Sequence, residues 1–274
     1  MTLPSTLSNL DLRDEIQAYW SSRAETFDSQ PGHEIFSEEE RAAWHALLRR
    51  HLGEGAGRAA LDLACGTAVV SHLLDDLGFE VTGMDWAEPM LERARAKAAA
   101  RGRRIRFYLG DAENTLEPDQ SYDVITNRHL VWTLVDPLAA FREWHRLLKP
   151  GGKLLVVDGD FVNPGPVARL ARRLSALLAR IGFGPAGAVN GPVTSEMAAI
   201  HQSILSRVHF SDGARAEAVV ALLKEAGFSR VTLDTDMRAI HRTQRKNFGF
   251  LKGLERATQH RYAICASKAM AGLL

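Results

Sequence analysis

Asp62-Leu63-Ala64-Cys65-Gly66-Thr67-Ala68 is a run of small residues between a strand-like apolar segment and a helix-like one. Such a turn lets a ligand approach the backbone, and a helix opening near Ala68 aims its first N–H groups at it. A tight strand–helix connection is the plainer alternative. Asp85, 23 positions after Asp62, ends the next strand-like run. A carboxylate at that spacing is suited to accept hydrogen bonds from ribose hydroxyls, although a lone strand-end Asp also serves as a helix N-cap. Trp86 follows it, and an exposed aromatic there can cover an adenine face. Asp111-Ala112-Glu113 comes after a third such run, where Asp111 can accept from an exocyclic amine. The fourth candidate is Asn127-Arg128-His129-Leu130-Val131-Trp132-Thr133-Leu134. His129 titrates near neutrality and can take a proton from a phenol, thiol or ring N–H, or serve only as a hydrogen-bonding positioner. Trp132 can stack on a planar acceptor or fill the core.

The elements that must position these groups are readable from periodicity. Apolar runs predict strands over 59–63, 80–85, 105–109, 122–126 and 153–158, with helices over 69–77, 89–101 and 137–148 between them. Lys149-Pro150-Gly151-Gly152 is expected to end the last helix. Strands alternating with helices imply a parallel sheet covered on both faces, whose ligands bind at the carboxyl ends of the strands. Upstream, Leu12, Ile16, Tyr19, Trp20, Arg23 and Phe27 recur at helical steps. A second helix over 37–52 opens with Ser37 and Glu40 in capping-box spacing and presents Trp44, Leu47 and Leu48. Beyond Asp160 the alternation lapses: helices are expected over 167–180 and 195–207, with a Gly/Pro loop over 182–192 between them. It resumes with a helix over 214–226 and strands over 230–234 and 261–267. The expected organisation is one α/β domain with a Rossmann-like, mostly parallel seven-stranded sheet and an antiparallel carboxyl-terminal hairpin. Residues 1–52 form an N-terminal helical lid, 53–160 the cofactor-binding core, 161–210 a lid insertion and 211–274 the terminal helix and hairpin.

Composition narrows the classes. The hydrophobic fraction of 46% is ample for a core and too high for a disordered chain. Thirty-four basic residues against 33 acidic ones leave a net charge of +1, which argues against a protein whose main work is gripping nucleic acid phosphates. Cys65 and Cys265 alone make neither a zinc cluster nor a disulfide framework, so a reduced, cytoplasmic setting and no metal are expected. Cys65 reads as a small packing residue. No apolar stretch approaches the roughly 20 residues that span a bilayer, and no signal peptide is visible.

Leu61-Asp62-Leu63-Ala64-Cys65-Gly66-Thr67, Val81-Thr82-Gly83-Met84-Asp85, Gly110-Asp111-Ala112, Tyr122-Asp123-Val124-Ile125 and Leu147-Leu148-Lys149-Pro150-Gly151-Gly152 together resemble the ordered motifs of class I S-adenosylmethionine-dependent methyltransferases. The family usually carries Gly where Ala64 and Ala68 stand, a departure that crowds the methionine end of the cofactor. By position, the resemblance implies that Ala64 and Gly66 line the methionine moiety, Asp85 holds the ribose and Trp86 packs on adenine. It further implies that Asp111 and Ala112 read the adenine amine and that Asn127 faces the sulfonium through its backbone. The segment from Tyr19 to Asp28 is similar to the lid helix of small-molecule methyltransferases, where Tyr19 and Arg23 would approach the methionine carboxylate. A plain docking helix with Arg23 in a surface ion pair is the rival. A dinucleotide oxidoreductase would need G-x-G-x-x-G where Ala-Cys-Gly-Thr-Ala-Val stands.

The stretch 128–134 and the Tyr-Trp-x-x-Arg-Ala start resemble azapteridine N-methyltransferases of the toxoflavin type. The implied reaction is transfer of a methyl group from S-adenosylmethionine, leaving S-adenosylhomocysteine, to N, O or S of a small planar heterocycle of secondary metabolism. Trp20, Arg128 and Trp132 would contact that acceptor, with His129 assisting. Alternatives are an RNA or protein methyltransferase, against which no RNA-binding module or Asn-Pro-Pro-Tyr-like loop is found, and a non-catalytic cofactor-binding scaffold. The oligomeric state stays open, a homodimer included. Arg169, Arg172, Arg173, Arg180 and Arg207 face only Glu196 within 161–210. Arg238, Arg242, Arg245, Lys246, Lys252 and Arg256 face only Glu255 within 237–256. Such basic segments either attract an anionic acceptor or are solvated helix faces. His33, His201, His209 and His241 are further histidines within reach of the cleft.

Overall fold

Buried apolar runs become adjacent strands here because helices cover them on both sides. The computed structural model describes residues 11–180 and 195–270. Its strands are β1 (Ala59–Leu63), β2 (Glu80–Asp85), β3 (Arg106–Leu109), β4 (Tyr122–Arg128), β5 (Leu148–Asp160), β6 (Arg230–Asp234) and β7 (His260–Ser267). They form one seven-stranded sheet in the order β3-β2-β1-β4-β5-β7-β6. β1 to β5 pair in parallel, while β7 lies antiparallel between β5 and β6. The order reverses at β1 and β4, so the crevice above their carboxyl ends is where a ligand is expected.

Ten α-helices accompany the sheet among the described residues: α1 (Leu12–Phe27), α2 (Glu38–Leu52), α3 (Val69–Asp76), α4 (Glu88–Ala100), α5 (Pro137–Leu147), α6 (Pro166–Arg180), α7 (Ser195–Leu205), α8 (Ala216–Glu225), α9 (Arg238–Arg245) and α10 (Phe250–Ala257). Two cores result. On one face Leu61, Leu63 and Ile125 meet Phe141 and Trp144 of α5 and Leu223 of α8. On the other, Val124 and Leu155 meet Trp44 and Leu48 of α2, Leu73 and Leu74 of α3 and Ile240 of α9. Trp144 is fully buried and donates from Nε1 to Ala112 O at 2.7 Å, so its packing also fixes the loop after β3. Truncating such a side chain to Ala typically costs about 3–5 kcal/mol.

Several sequence expectations need correction. The chain does leave its helix at Leu147, but Lys149-Pro150-Gly151-Gly152 is absorbed into β5 as a bulge. The register with β4 jumps there from Tyr122↔Leu148 to Val124↔Lys153. The capping box of α2 is half formed: Ser37 Oγ accepts from Glu40 N at 3.1 Å. The Glu40 carboxylate, however, turns inward to accept from Phe36 N and from Gln244 Nε2 on α9. α9 and α10 occupy a stretch recognised only for its charge: each is amphipathic, but eight residues are two turns, too short for an apolar stripe to stand out among the Arg and Lys residues. α6 packs on α10 and contributes no residue to the cavity described below. The Gly/Pro loop over 182–192, and residues 1–10 and 271–274 of the expected lid and hairpin segments, lie outside the described residues.

Candidate active site

The turn after β1 reverses the chain with three left-handed residues in five, Ala64 (φ +50°), Gly66 (+54°) and Ala68 (+72°). Two of the three are alanine, so the turn holds strain that glycine would relieve. It is pinned from the neighbouring strand: Cys65 N donates to Met84 O, and Gly66 N donates to Asp85 Oδ2, both at 2.9 Å. Asp85 Oδ1 accepts from Ala87 N, also at 2.9 Å. Burial pushes the Asp85 carboxyl up to about 6 against these backbone donors. A carboxylate offers about four lone-pair sites, so acceptor capacity remains for hydroxyl groups. Asp62 lies beneath the turn, clamped by Ser71 Oγ (2.6 Å) and Thr126 Oγ1 (3.2 Å) and likewise raised to about 6 by burial. Burial also raises the Cys65 thiol, which keeps it protonated and unreactive.

The loop after β3 carries the third carboxylate. Asp111 Oδ1 accepts from Glu113 N at 2.8 Å, and burial raises its pKa. Glu113 takes Arg13 Nη2 (2.6 Å), Val135 N (2.9 Å) and Asp136 N (3.0 Å). Gln17 Nε2 donates to Trp86 O at 2.5 Å. Arg13 and Gln17, one helical turn apart, therefore moor α1 across the cavity. Neither stands out in the sequence, since an exposed-type polar pair at four-residue spacing looks like any solvated helix face. Half-buried Trp86 packs with Trp20 and Met90 beside them.

Anchored this way, α1 buries Tyr19 and Arg23 over the crevice. Arg23 is 8% exposed, lines the cavity and makes no ion pair or hydrogen bond among the described residues, and its Nε is buried without a partner. The surface ion pair weighed from sequence is absent among those residues.

The opposite end is aromatic. Trp132, in a single 3-10 turn (Val131–Thr133), meets Trp20, Phe161 of the segment after β5, and His201 of α7, with ring centroids 5.7–6.3 Å apart. That turn is held by Asp158, which accepts from Val131 N at 2.8 Å. Tyr19 stacks on His201 at 5.3 Å, and Phe27 on His33 at 4.2 Å. Phe161 carries no sequence signal, because it lies in an irregular linker. His129 takes a left-handed conformation (φ +60°) that turns its ring into the cavity beside Phe161. Burial, with Arg261 and Arg128 nearby, holds the His129 imidazole well below its usual pKa, and burial lowers His33 to about 3.

Of the predicted site residues, Tyr19, Trp20, Arg23, Ala64, Gly66, Asp85, Trp86, Asp111, Ala112, Arg128, His129 and Trp132 all line one cavity of about 870 Å³. Small-molecule sites usually occupy about 300–1,000 Å³, so there is room for a nucleoside cofactor and a second small molecule. Asn127 does not line it. It sits within β4 between Leu63 and Val156, with both amide atoms buried and unpartnered. Arg128 lines the cavity while its Nη2 donates to His33 O at 2.7 Å and its guanidinium lies 5.5 Å from the Trp44 ring centroid. His201 and His33 reach the cavity; His209 and His241 do not. None of the arginines of 161–210 lines it, and Arg172 and Arg207 are engaged by Glu255 and Glu15. Of the basic residues of 237–256, Arg256 alone turns inward.

Residues 61–156 match the protein family described as methyltransferase domain. The chain is 34% identical over 128 residues to a demethylmenaquinone methyltransferase of Staphylococcus epidermidis, covering 45% of this chain and 52% of that one. It is 40% identical over 107 residues to the enzyme of the same name from Thermus thermophilus, covering 38% and 49%. The chain thus spans about half the length of the curated relatives it matches. Among solved structures it resembles phosphoethanolamine N-methyltransferase 2 of Haemonchus contortus, in complex with S-adenosyl-L-methionine. That likeness has TM-score 0.65 and 15% identity over 96% of this chain and 61% of that one. It also resembles the cyclase SpnF, with TM-score 0.54 and 18% identity over 85% and 81%. At such identities the likeness is one of fold, and a cyclase among these structures shows that the fold alone does not specify the reaction. No helix among the described residues is long and apolar enough to cross a membrane.

Proposed function

We propose that this chain, whose residues 61–156 match a methyltransferase domain, transfers a methyl group from S-adenosylmethionine to N, O or S of a small planar molecule. The observation that carries the reading is Arg23: a buried guanidinium without an acidic partner among the described residues, facing the same cavity as Asp85, Asp111 and the turn of Ala64 and Gly66. An uncompensated buried cation is costly, and the α-carboxylate of the cofactor is the group that would complete it. Asp85 then receives the ribose hydroxyls, Trp86 covers the adenine, and Asp111 with Ala112 faces its amine.

When bound, the cofactor would supply a methyl carbon on a sulfonium to an acceptor lone pair, with S-adenosylhomocysteine as the leaving group and any acceptor proton passing to solvent. The chain contributes alignment and exclusion of water. Trp20, Trp132, Phe161 and His201 offer edges and faces to a flat acceptor. His129, kept neutral by burial and by nearby guanidinium groups, accepts a hydrogen bond from an acceptor N–H or O–H and positions it. Its depressed basicity suits that role better than holding a proton. A heterocycle is one flat acceptor that suits this aromatic wall; the demethylmenaquinone named in the relatives is a carbocyclic quinone, which supports a planar ring compound without supporting a ring heteroatom.

The test is transfer of isotopic label from S-adenosylmethionine into a fractionated bacterial extract, followed by mass spectrometry. Label in a low-molecular-weight ring compound is the expected outcome. Label only in RNA or protein would replace the substrate class, and tight cofactor binding with no transfer to any fraction would favour a scaffold.

A further inference from the structure

Behind the aromatic wall lie three guanidinium groups that the methyl transfer step does not use. Arg128 comes from the end of β4, Arg256 from the last turn of α10 and Arg261 from β7. Arg128 and Arg256 line the cavity, and Arg261 is 6% exposed beside them. Burial lowers the pKa of all three; Arg128 repels Arg256, and both repel Arg261, while the more distant carboxylates of Asp62, Glu34, Glu40 and Asp28 attract Arg128.

Their partners are all neutral. Arg128 Nη2 donates to His33 O (2.7 Å) and Arg261 Nη1 to Gln244 Oε1 (2.7 Å). Arg256 makes only long bonds, Nη2 to Pro31 O (3.3 Å) and Nη1 to Gln259 Oε1 (3.2 Å). Arg256 Nε, Arg261 Nε and Arg261 Nη2 are buried with no partner. No carboxylate stands within ion-pair distance of the three among the described residues. Both oxygens of Glu40 are taken by Phe36 N and Gln244 Nε2, and Asp158 receives Val131 N and Gly159 N. The other acids lining the cavity are Asp62, Asp85, Asp111 and Glu113 of the β1–β3 loops, and exposed Asp212. Gly32 makes room for the arrangement, since a Cβ there would sit 2.1 Å from Arg256 Nη2.

The unpaired Nε of Arg256 at one end of an aromatic-lined cavity, with the unpaired donors of Arg261 behind it, calls for an anion. We infer that the methyl acceptor carries a carboxylate-like anionic group, which docks on Arg256 and Arg128 with Arg261 behind them while its ring lies against Trp132 and Phe161. This rests on the methyltransfer reading and narrows its substrate class from planar molecules to planar acids. The basic surfaces of α6 and α9 have no part in it.

The full chain is first titrated with S-adenosylhomocysteine by calorimetry, which fills the site facing Arg23. The loaded protein then receives nicotinate or nicotinamide, a planar pair differing in charge, followed by ligand-observed NMR. Nicotinate is expected to bind about tenfold more tightly than nicotinamide, the margin of a charge-assisted over a neutral hydrogen bond. Arg256→Gln should erase that preference while S-adenosylhomocysteine binds as before. Equal binding of the pair, binding of neither, or a preference that survives Arg256→Gln overturns the assignment; the wild-type comparison decides by itself if the variant does not fold. Failure of the first titration overturns the methyltransfer reading and takes the acceptor assignment with it. A bound S-adenosylhomocysteine without carboxylate preference overturns only the latter.

Discussion

Asp85 and Asp111, at one end of the cavity, receive backbone N–H groups from residues near them in sequence or on the adjoining loop. At the other end Trp132 Nε1, His201 Nε2, His33 Nδ1 and Arg256 Nε are buried without partners. The first end is set by short connections at the edges of β1, β2 and β3. The second is assembled from α1, the turn after β4, α7, α10 and β7, elements far apart along the chain. An end whose carboxylates are satisfied by backbone donors is preorganised for a ligand, although Arg13 Nε there is also buried without a hydrogen-bond partner. An end with unmet polar groups, each costing about 1–3 kcal/mol when buried, is stable enough to exist only because the rest of the core is large. It leaves hydrogen-bonding capacity for a specific second ligand.

Arg23 spans the two ends and gives the largest effect. Arg23→Met should weaken S-adenosylhomocysteine binding by about 2–3 kcal/mol, the range for hydrogen bonds to a charged group. Thermal stability should hold or rise, because a buried unpaired charge is removed. Lost stability with unchanged affinity would turn Arg23 into a packing residue and break the contrast. Asp85→Ala comes next, at about 1–2 kcal/mol of affinity in calorimetry. Its pH dependence has a defined sign. Burial raises the folded pKa to about 6 from 3.8, so Asp85 favours folding at acid pH and that contribution is lost as pH rises through about 6. Hydroxyl groups bind the ionised form better, so cofactor affinity should increase over the same window, and the increase should flatten in Asp85→Ala.

The same division governs what could be read from sequence. Asp62, Asp85, Asp111 and the small-residue turn were legible because each sits at or near a strand's carboxyl end, where a continuous apolar run stops and topology fixes the neighbour. α1 was legible through its stripe from Leu12 to Phe27, but its moorings Arg13 and Gln17 were not, since their partners Glu113 and Trp86 are distant in sequence. Arg128 looked like a substrate ligand because its position faces the crevice. Only tertiary structure shows that His33 O takes one of its Nη donors, that the Trp44 ring lies beside it and that Arg256 lines the same cavity. Arg256 was visible as one of many charges, and no local pattern distinguishes the one that turns inward from those that pair at the surface, such as Lys246 with Glu39.

His129 tests the acceptor end on turnover. Its imidazole is held well below the usual pKa by burial and by Arg261 and Arg128. It therefore stays neutral as pH falls through 6.5, and the stability it confers is present above that value and lost below it. The proposed positioning role expects His129→Gln to lower kcat about tenfold, the scale of one hydrogen bond, with S-adenosylhomocysteine affinity unchanged. The wild-type pH–rate profile should show no inflection between about 6 and 7 that the substitution removes. Such an inflection, with a loss of about 100-fold or more, would instead mark a general base.

The smallest effect concerns strain at the satisfied end. Ala64 adopts φ +50° in the turn that the backbone of Gly66 and the carboxylate of Asp85 hold in place. A left-handed L-residue costs roughly 1–2 kcal/mol, while the extra freedom of glycine in the unfolded chain costs about 0.4–1 kcal/mol. Ala64→Gly should therefore stabilise the protein by up to about 1 kcal/mol in denaturant melts. Ala98→Gly, in the ordinary helical backbone of α4, should destabilise it by about 1 kcal/mol. Opposite signs for two identical substitutions would place the strain in the turn itself. If both destabilise equally, the Ala64 methyl is packing that the fold needs, and the preorganisation of this end rests on Asp85 and its backbone donors alone.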